Sequence, residues 1–333
     1  MRKYLKGTVK VYFNDREEIP GIQDVFRTYG VLTREAGFYF YFSRKIRELR
    51  ECGHEGTARA YASSLRSMQR YLGKKDFPFI KLSSRIISDY QGKLLASGIC
   101  DNTIGFYLHN IKALFRKGCR EMGLELPCPF RDISIKTEKT LKRSLDPVVI
   151  KTLSAIELEK DSPLSLARDI FMFSFYTRGM SFVDIALLKK RHVFPGEICY
   201  RRHKTDQLMR VGINKEISRI LERYKNVPGE YIFPLFPAER DPYAGYRSAY
   251  HRIRYSLGKI SRVIGLEFPL RLHAARHSWA TIAKVNGASV HVIGECLGHT
   301  SEKTTRIYLK ELDHSALDAV NNQVADFILA VDD

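Results

Sequence analysis

The amino-acid sequence predicts a mainly α protein with one small β-sheet, an α+β class, and three observations carry that expectation. Apolar residues recur every three or four positions through most of the chain. Capping residues and glycines punctuate those runs as helix starts and stops. One passage in the second half reads as a strand pair about a turn. The 333 residues are long for one core and comfortable for two domains, and 44% hydrophobic with 11% aromatic content can fill both.

Residues 1–35 carry a short strand, TVKVYF, and a loop with Pro20 and Gly21. In FYFYFSRKIRELRECG, Phe38, Phe42, Ile46 and Leu49 form a helical stripe that Gly53 stops. TARAYASSLRSMQRYLG repeats the design with Tyr61, Leu65, Met68 and Leu72. SSRIISDYQGKLLASG and DNTIGFYLHNIKALFRKGCREMG follow, the latter opening on Asp101 and Asn102 as capping residues. Four helices with Lys or Arg on their polar sides make a small basic helical domain over residues 36–125. CPFRDISIKTEKTLKRSLDP breaks the pattern with two prolines, so residues 126–145 are expected to form an extended basic linker. Its Lys136, Lys139, Lys142 and Arg143 suit the tracking of a phosphate backbone.

From Asp146 helical patterning returns in DPVVIKTLSAIELEK, SPLSLARDIFMFSFYTRG and SFVDIALLKKRHV. GEICYRRHKTDQLMRVGI then reads as two short strands about the turn Lys204-Thr205-Asp206-Gln207. NKEISRILERYKN and YAGYRSAYHRIRYSLGKISRVIG are helical again, and the second domain is expected over residues 146–315. The end of the chain, 316–333, sets Leu317, Val320, Val324, Phe327, Ile328 and Val331 on one face. That helix either packs on its own domain or inserts into a neighbouring protomer.

Charge and composition narrow the function classes. Against 37 Asp and Glu stand 55 Lys and Arg, a formal charge of +18 that favours polyanionic partners. No apolar run approaches the ~20 residues of a membrane span, and the N-terminal stretch lacks a signal-peptide apolar region. Cysteines 52, 100, 119, 128, 199 and 296 form no CxxC pair, so free thiols in a cytoplasmic protein are expected. The carboxylates supply no paired acidic cluster for two-metal phosphoryl transfer. No Gly-rich phosphate loop implies ATP.

The chemistry-bearing residues gather near the C-terminus. In LHAARHSWATIAKVNG, His273 and Arg276 are three apart and share a helix face, with His277 expected to point elsewhere and Trp279 and Ile282 to lie on a core stripe. LGHTSEKTTRIY follows, with Tyr308 nine positions after His299. Together these residues closely resemble the C-terminal signature of the tyrosine recombinases, the phage-integrase-like site-specific recombinases. The resemblance covers residues 146–315, and more loosely the helical domain before it, which matches that family's core-binding domain in size and position. It implies a helical core-binding domain that clamps DNA and a tyrosine-recombinase catalytic domain.

The roles it implies are chemically sound. A phosphodiester repels a nucleophile until its charge is neutralised, and the planar fork of Arg276 can donate twice to phosphate oxygens. His273 and His299 can donate to the same oxygens or move protons. Tyr308, whose hydroxyl has an ordinary pKa of ~10, is helped to its anion by nearby cations and attacks phosphorus. A lysine in a β-turn protonates the leaving 5′ oxygen in the family, and Lys204 occupies such a turn. No metal or other cofactor is implied. The partners implied are double-stranded DNA recombination sites, three further protomers in a homotetramer on DNA, and accessory DNA-bending proteins.

One departure stands out. The family's first arginine follows a Gly-Leu or Gly-Met pair, but after Gly179 and Met180 this chain has Ser181, with Asp184 in the expected acidic position. Arg178 stands three residues earlier, one helical turn or ~5 Å away, and is expected to take that arginine's catalytic role; Arg202, otherwise a DNA-binding candidate, is the other cation able to replace the missing charge. The same residues leave open a type IB topoisomerase, or a DNA-binding regulator that retains the fold without catalysis. The short N-terminal segment favours a simple invertase or resolvase over an integrase with its own arm-site domain.

Overall fold

A computed structural model describes residues 37–136, 138, 144–236, 242–299, 301–309 and 324, with the backbone alone at 242–244, 307 and 308. The strand and loop expected over 1–35 lie outside the described residues, as does the C-terminal stripe apart from Val324. The chain divides into two compact units between Lys139 and Thr140.

In the first unit four helices follow the apolar periodicity: α1 (Phe38–Glu51), α2 (Glu55–Leu72), α3 (Ser84–Ala96) and α4 (Asp101–Met122). Phe38, Phe42 and Ile46 are buried as their spacing predicts, and Phe79 of a short 3-10 turn stacks on Phe115 of α4 at 5.4 Å between ring centres. Each such aromatic, fully buried, contributes roughly 2–3 kcal/mol of apolar transfer. α2 turns Ala58, Ala62, Ser64 and Ser67 inward, small residues that let its neighbours approach closely. Lys45 of α1 is also buried, satisfied by Glu48 at 2.6 Å and Glu121 at 2.7 Å. The cap of α1 comes from a distance: Asp76 accepts from the Tyr39 and Phe40 amides at 2.8 and 2.9 Å.

Two expectations change here. Asn102 does not cap α4, whose N-cap is Cys100. Its side-chain amide instead donates to the Glu138 carbonyl and accepts from the Glu138 amide, both at 3.0 Å. The front of the supposed extended linker is therefore a strap on the helices. Phe130 is buried in their core, Ile133 and Ile135 pack against it, and Gln91 donates to the Ser134 carbonyl at 2.9 Å.

The second unit is built around α6 (Pro163–Tyr176), capped by Ser162 and buried along most of its length. α5 (Pro147–Ala155), capped by Asp146, precedes it, and the short α7 (Phe182–Ala186) follows. The sheet has three antiparallel strands rather than two: β1 (Val193–Phe194), β2 (Glu197–Arg201) and β3 (Leu208–Gly212), in that order. Ile198, Tyr200, Met209 and Val211 alternate inward, with Tyr200 opposite Met209. Then come α8 (Lys215–Arg223), α9 (Pro242–Val263), α10 (Leu272–Val285), α11 (Val290–Leu297) and α12 (Glu302–Tyr308). α6 packs against α5, α8, α9 and α10, so the helix bearing Arg276 rests on the central one. No helix among the described residues is long and apolar enough to cross a membrane.

Candidate active site

The site begins at the corner after α6. Arg178 and Gly179 both adopt left-handed backbone, at φ 60° and 76°, and the Gly179 amide closes the corner on the Ser174 carbonyl at 2.7 Å. A Cβ on Gly179 would lie 2.6 Å from Cγ and 2.8 Å from Cα of Arg276, so glycine is what lets α10 pass here. In return the Gly179 carbonyl accepts from Arg276 Nη1 at 2.8 Å. The guanidinium, on a side chain only 4% exposed, also donates through Nη2 to the Leu297 carbonyl at 2.5 Å and to His299 Nε2 at 3.0 Å.

The end of α11 supplies the second half. Gly298 caps it in left-handed conformation, and helix ends leave carbonyls without intrahelical donors. Arg276 takes the carbonyl of Leu297, and Arg202 Nη1 takes that of Gly298. Two guanidiniums thus flank the start of His299, whose Nδ1 meets Thr305 Oγ1 on α12 at 3.0 Å.

Arg202 belongs to the turn between β2 and β3, and that turn is held on several sides. The Arg202 amide donates to the Gln207 carbonyl at 2.9 Å, and Arg201 reaches the Asp206 carbonyl at 2.8 Å. The His203 amide donates to Asp184 Oδ1 at 2.8 Å, while Asp184 Oδ2 accepts from the Ser181 hydroxyl at 2.6 Å. Ser181 thereby serves the buried carboxylate that anchors the hairpin. Lys204 sits exposed on the turn, with its charge acting on His299.

Electrostatics follow from this crowding of cations. Burial, then Arg276, Arg202 and Lys204, hold the His299 pKa down at about 4, so the ring is neutral near neutral pH. Burial pushes the Tyr200 hydroxyl well above its ordinary range, with Asp184 adding to it. Arg202, Arg276 and Arg178 oppose the shift, so all three guanidiniums act on this hydroxyl.

Of the residues picked from the sequence, Arg276, His299 and Arg202 are in direct contact or share adjacent carbonyls, and Lys204 adjoins them. His273 lies exposed one turn before Arg276, its ring edge-on to His277 at 4.8 Å. His277 therefore shares the His273 face rather than pointing elsewhere, as an i,i+4 pair on a helix must. Arg178 is not one helical turn from Ser181, because the chain leaves α6 at Tyr176 and reverses. Its guanidinium reaches the Arg210 carbonyl on β3 at 3.5 Å. The Tyr308 backbone ends α12, and its side chain lies outside the described residues. Lys136 is exposed on the first unit, while Lys139, Lys142 and Arg143 lie outside the described residues. Sequence reasoning missed Thr305 and Tyr200, an unremarked hydroxyl in a Thr-Thr pair and an inward strand position. No group of three or more His, Cys, Asp or Glu among the described residues is placed to hold a metal ion.

Comparison with known proteins assigns the class. The model of the phage integrase family matches residues 144–314, and that of the phage integrase SAM-like domain matches residues 37–130. The chain is 26% identical over 226 residues to the tyrosine recombinase XerC of Shewanella oneidensis, covering 65% of this chain and 70% of that protein. It is 24% identical over 262 residues to XerD of Pseudomonas putida, covering 76% and 86%. The fold resembles a lambda integrase dimer bound to a COC′ core site, with a TM-score of 0.61 at 17% identity over 82% of this chain and 95% of that one. It also resembles the Tn1549 transposon integrase in complex with a circular intermediate DNA, with a TM-score of 0.62 at 15% identity over 86% and 99%. The chain belongs to the phage integrase family, the tyrosine recombinases.

Proposed function

We propose that this protein cuts and rejoins duplex DNA at specific sites through a 3′-phosphotyrosine intermediate, giving integration, excision or inversion. The observation that carries this reading is the meeting of Arg276, Arg202, His299 and the Lys204 turn at the foot of the helix that ends in Tyr308. Arg276 binds the scissile phosphate and stabilises the charge that builds in the transition state. Tyr308 attacks phosphorus, the bond to the 5′ oxygen breaks, and Lys204 protonates that oxygen as it leaves. His273 donates to a phosphate oxygen from the turn before Arg276.

The second cation is Arg202. It is anchored to the Gly298 carbonyl beside His299, whereas Arg178 turns toward β3. The phosphotyrosine bond retains the energy of the cleaved linkage, so rejoining draws on neither ATP nor a metal. By analogy with its relatives, the protein works as a homotetramer on two DNA sites, with DNA-bending proteins as accessories.

The test is a nicked duplex that traps the covalent adduct. The parent protein should form a protein–DNA adduct, in EDTA as well as in magnesium, and Tyr308→Phe should form none while binding the same site within a few-fold. An adduct that persists in Tyr308→Phe assigns the nucleophile elsewhere. Ser181, standing where the family sets an arginine, favours one second reading, a DNA-binding regulator that retains the fold. Site binding with no adduct in the parent would establish it.

A further inference from the structure

Thr305 is fully buried on α12, three residues before Tyr308, and its hydroxyl meets His299 Nδ1 at 3.0 Å. Gly294 on α11 makes room for it, since a Cβ there would stand 2.9 Å from Thr305 Oγ1. On the other side of the ring, Nε2 lies 3.0 Å from Arg276 Nη2. A guanidinium has donors and no acceptor, so Nε2 accepts and the proton of the neutral ring sits on Nδ1. Thr305 Oγ1 then accepts from that Nδ1–H, and the hydrogen bond made by one ring nitrogen sets what the other can do.

We propose that Thr305 is a positioning residue: its buried hydroxyl holds His299 in the Nδ1–H tautomer, with the Nε2 lone pair turned to Arg276, and so ties the seating of the Tyr308 helix to the phosphate-binding group. In this arrangement His299 accepts a proton on the phosphate side and does not donate one. Displacing α12 takes away the partner of Nδ1, so ring orientation and nucleophile helix move as one. The consequence for cleavage rests on the recombinase reading above; the tautomer itself does not.

The experiment uses the full-length protein labelled with 15N-histidine, and the His299 resonances are identified by their loss in His299→Gln. Long-range 1H–15N spectra near neutral pH should show His299 as the Nδ1–H tautomer. Thr305→Val keeps the shape and removes the acceptor, and should move the ring toward Nε2–H or a mixture. Thr305→Ser keeps the hydroxyl and should keep the parent spectrum. Unchanged signals from the other histidines establish that each variant is folded. Adduct formation should fall about tenfold or more in Thr305→Val, by analogy with metal-ligating histidines that lose their orienting partner, and should recover in Thr305→Ser. An Nε2–H tautomer in the parent overturns the proposal, and so does an unaltered Nδ1–H tautomer in folded Thr305→Val. Because the spectra are read without DNA, a protein that never cleaves still decides the tautomer, and the loss of cleavage alone counts against the recombinase reading.

Discussion

The carbonyls of Gly179 and Leu297 fix the plane of the Arg276 guanidinium. Both are neutral acceptors, and they reach the fork from the corner after α6 and from the end of α11. Gly179→Ala should damage both fold and site. A left-handed alanine costs about 1–2 kcal/mol and its clash with α10 about 1–3 more. Gly229→Ala, at φ 84° with open space around it, isolates the backbone part. Urea unfolding of the two variants should differ by the packing cost, and equal losses would show that α10 gives way freely. The two candidate cations separate by rate: Arg202→Ala should cut cleavage by about 10²–10³, and Arg178→Ala by far less. The reverse order would return the role to Arg178. His299 sets a pH dependence of stability. Its pKa is about 4 in the fold against 6.5 ordinarily, so the unfolded chain binds its proton first. That share of stability is complete above about pH 6.5 and is lost as pH falls toward 4. Denaturant midpoints of the parent should fall more steeply across this window than those of His299→Gln. That His273 and Arg276 lie one turn apart on a helix was legible in the sequence because the spacing is local. The contact of Arg276 with Gly179 was not, since it joins residues 97 apart.

At the scale of elements, the β2–β3 hairpin brings Arg202 and Lys204 to the end of α11. Asp184 holds its backbone at His203 and Arg202 holds Gly298, so the turn between them presents Lys204 beside His299. If Lys204 protonates the leaving oxygen, Lys204→Ala should lower cleavage by about 10²–10³, within the usual range of general acid catalysis. A substrate with sulfur at the 5′ bridging position leaves as a thiolate and needs no proton. That substrate should restore the rate of Lys204→Ala, and failure to do so would give the lysine a role in binding the phosphate. Asp146, Ser162, Asn214 and Ser289 all cap their helices through side chains within three residues, which is why those starts are marked in the sequence itself. α1 lacks such a mark because its cap, Asp76, arrives from the far side of α2. β1 is two residues long and α11 eight, too short for a period to emerge before the element ends.

For the whole molecule, the net charge of +18 tells more about binding than about folding. Two domains were expected from length and apolar content, and among the described residues one large core lies in the helices before Lys139, another around α6, and a small cluster at Ala280, Ile293 and Leu297. The strap formed by residues 130–136 and 138 was not legible, because Pro129 and the lysines read as a linker while Phe130, Ile133 and Ile135 are spaced for no regular face. The basic residues just beyond the strap bear on DNA affinity. If Lys139, Lys142 and Arg143 each neutralise a phosphate, duplex binding releases a counterion at each contact. Each contact then adds ~0.9 to the slope of log affinity against log salt. Changing all three to glutamine should therefore flatten that slope by about 2.7 and weaken binding to target and random duplexes alike. The cause is sequence-independent charge, so the ratio of specific to non-specific affinity should stay near its parent value. Titrations by fluorescence anisotropy across a salt series measure both quantities. A slope equal to the parent's would mean that this segment does not touch the phosphates. A preserved slope with lost discrimination would mean that it reads bases instead.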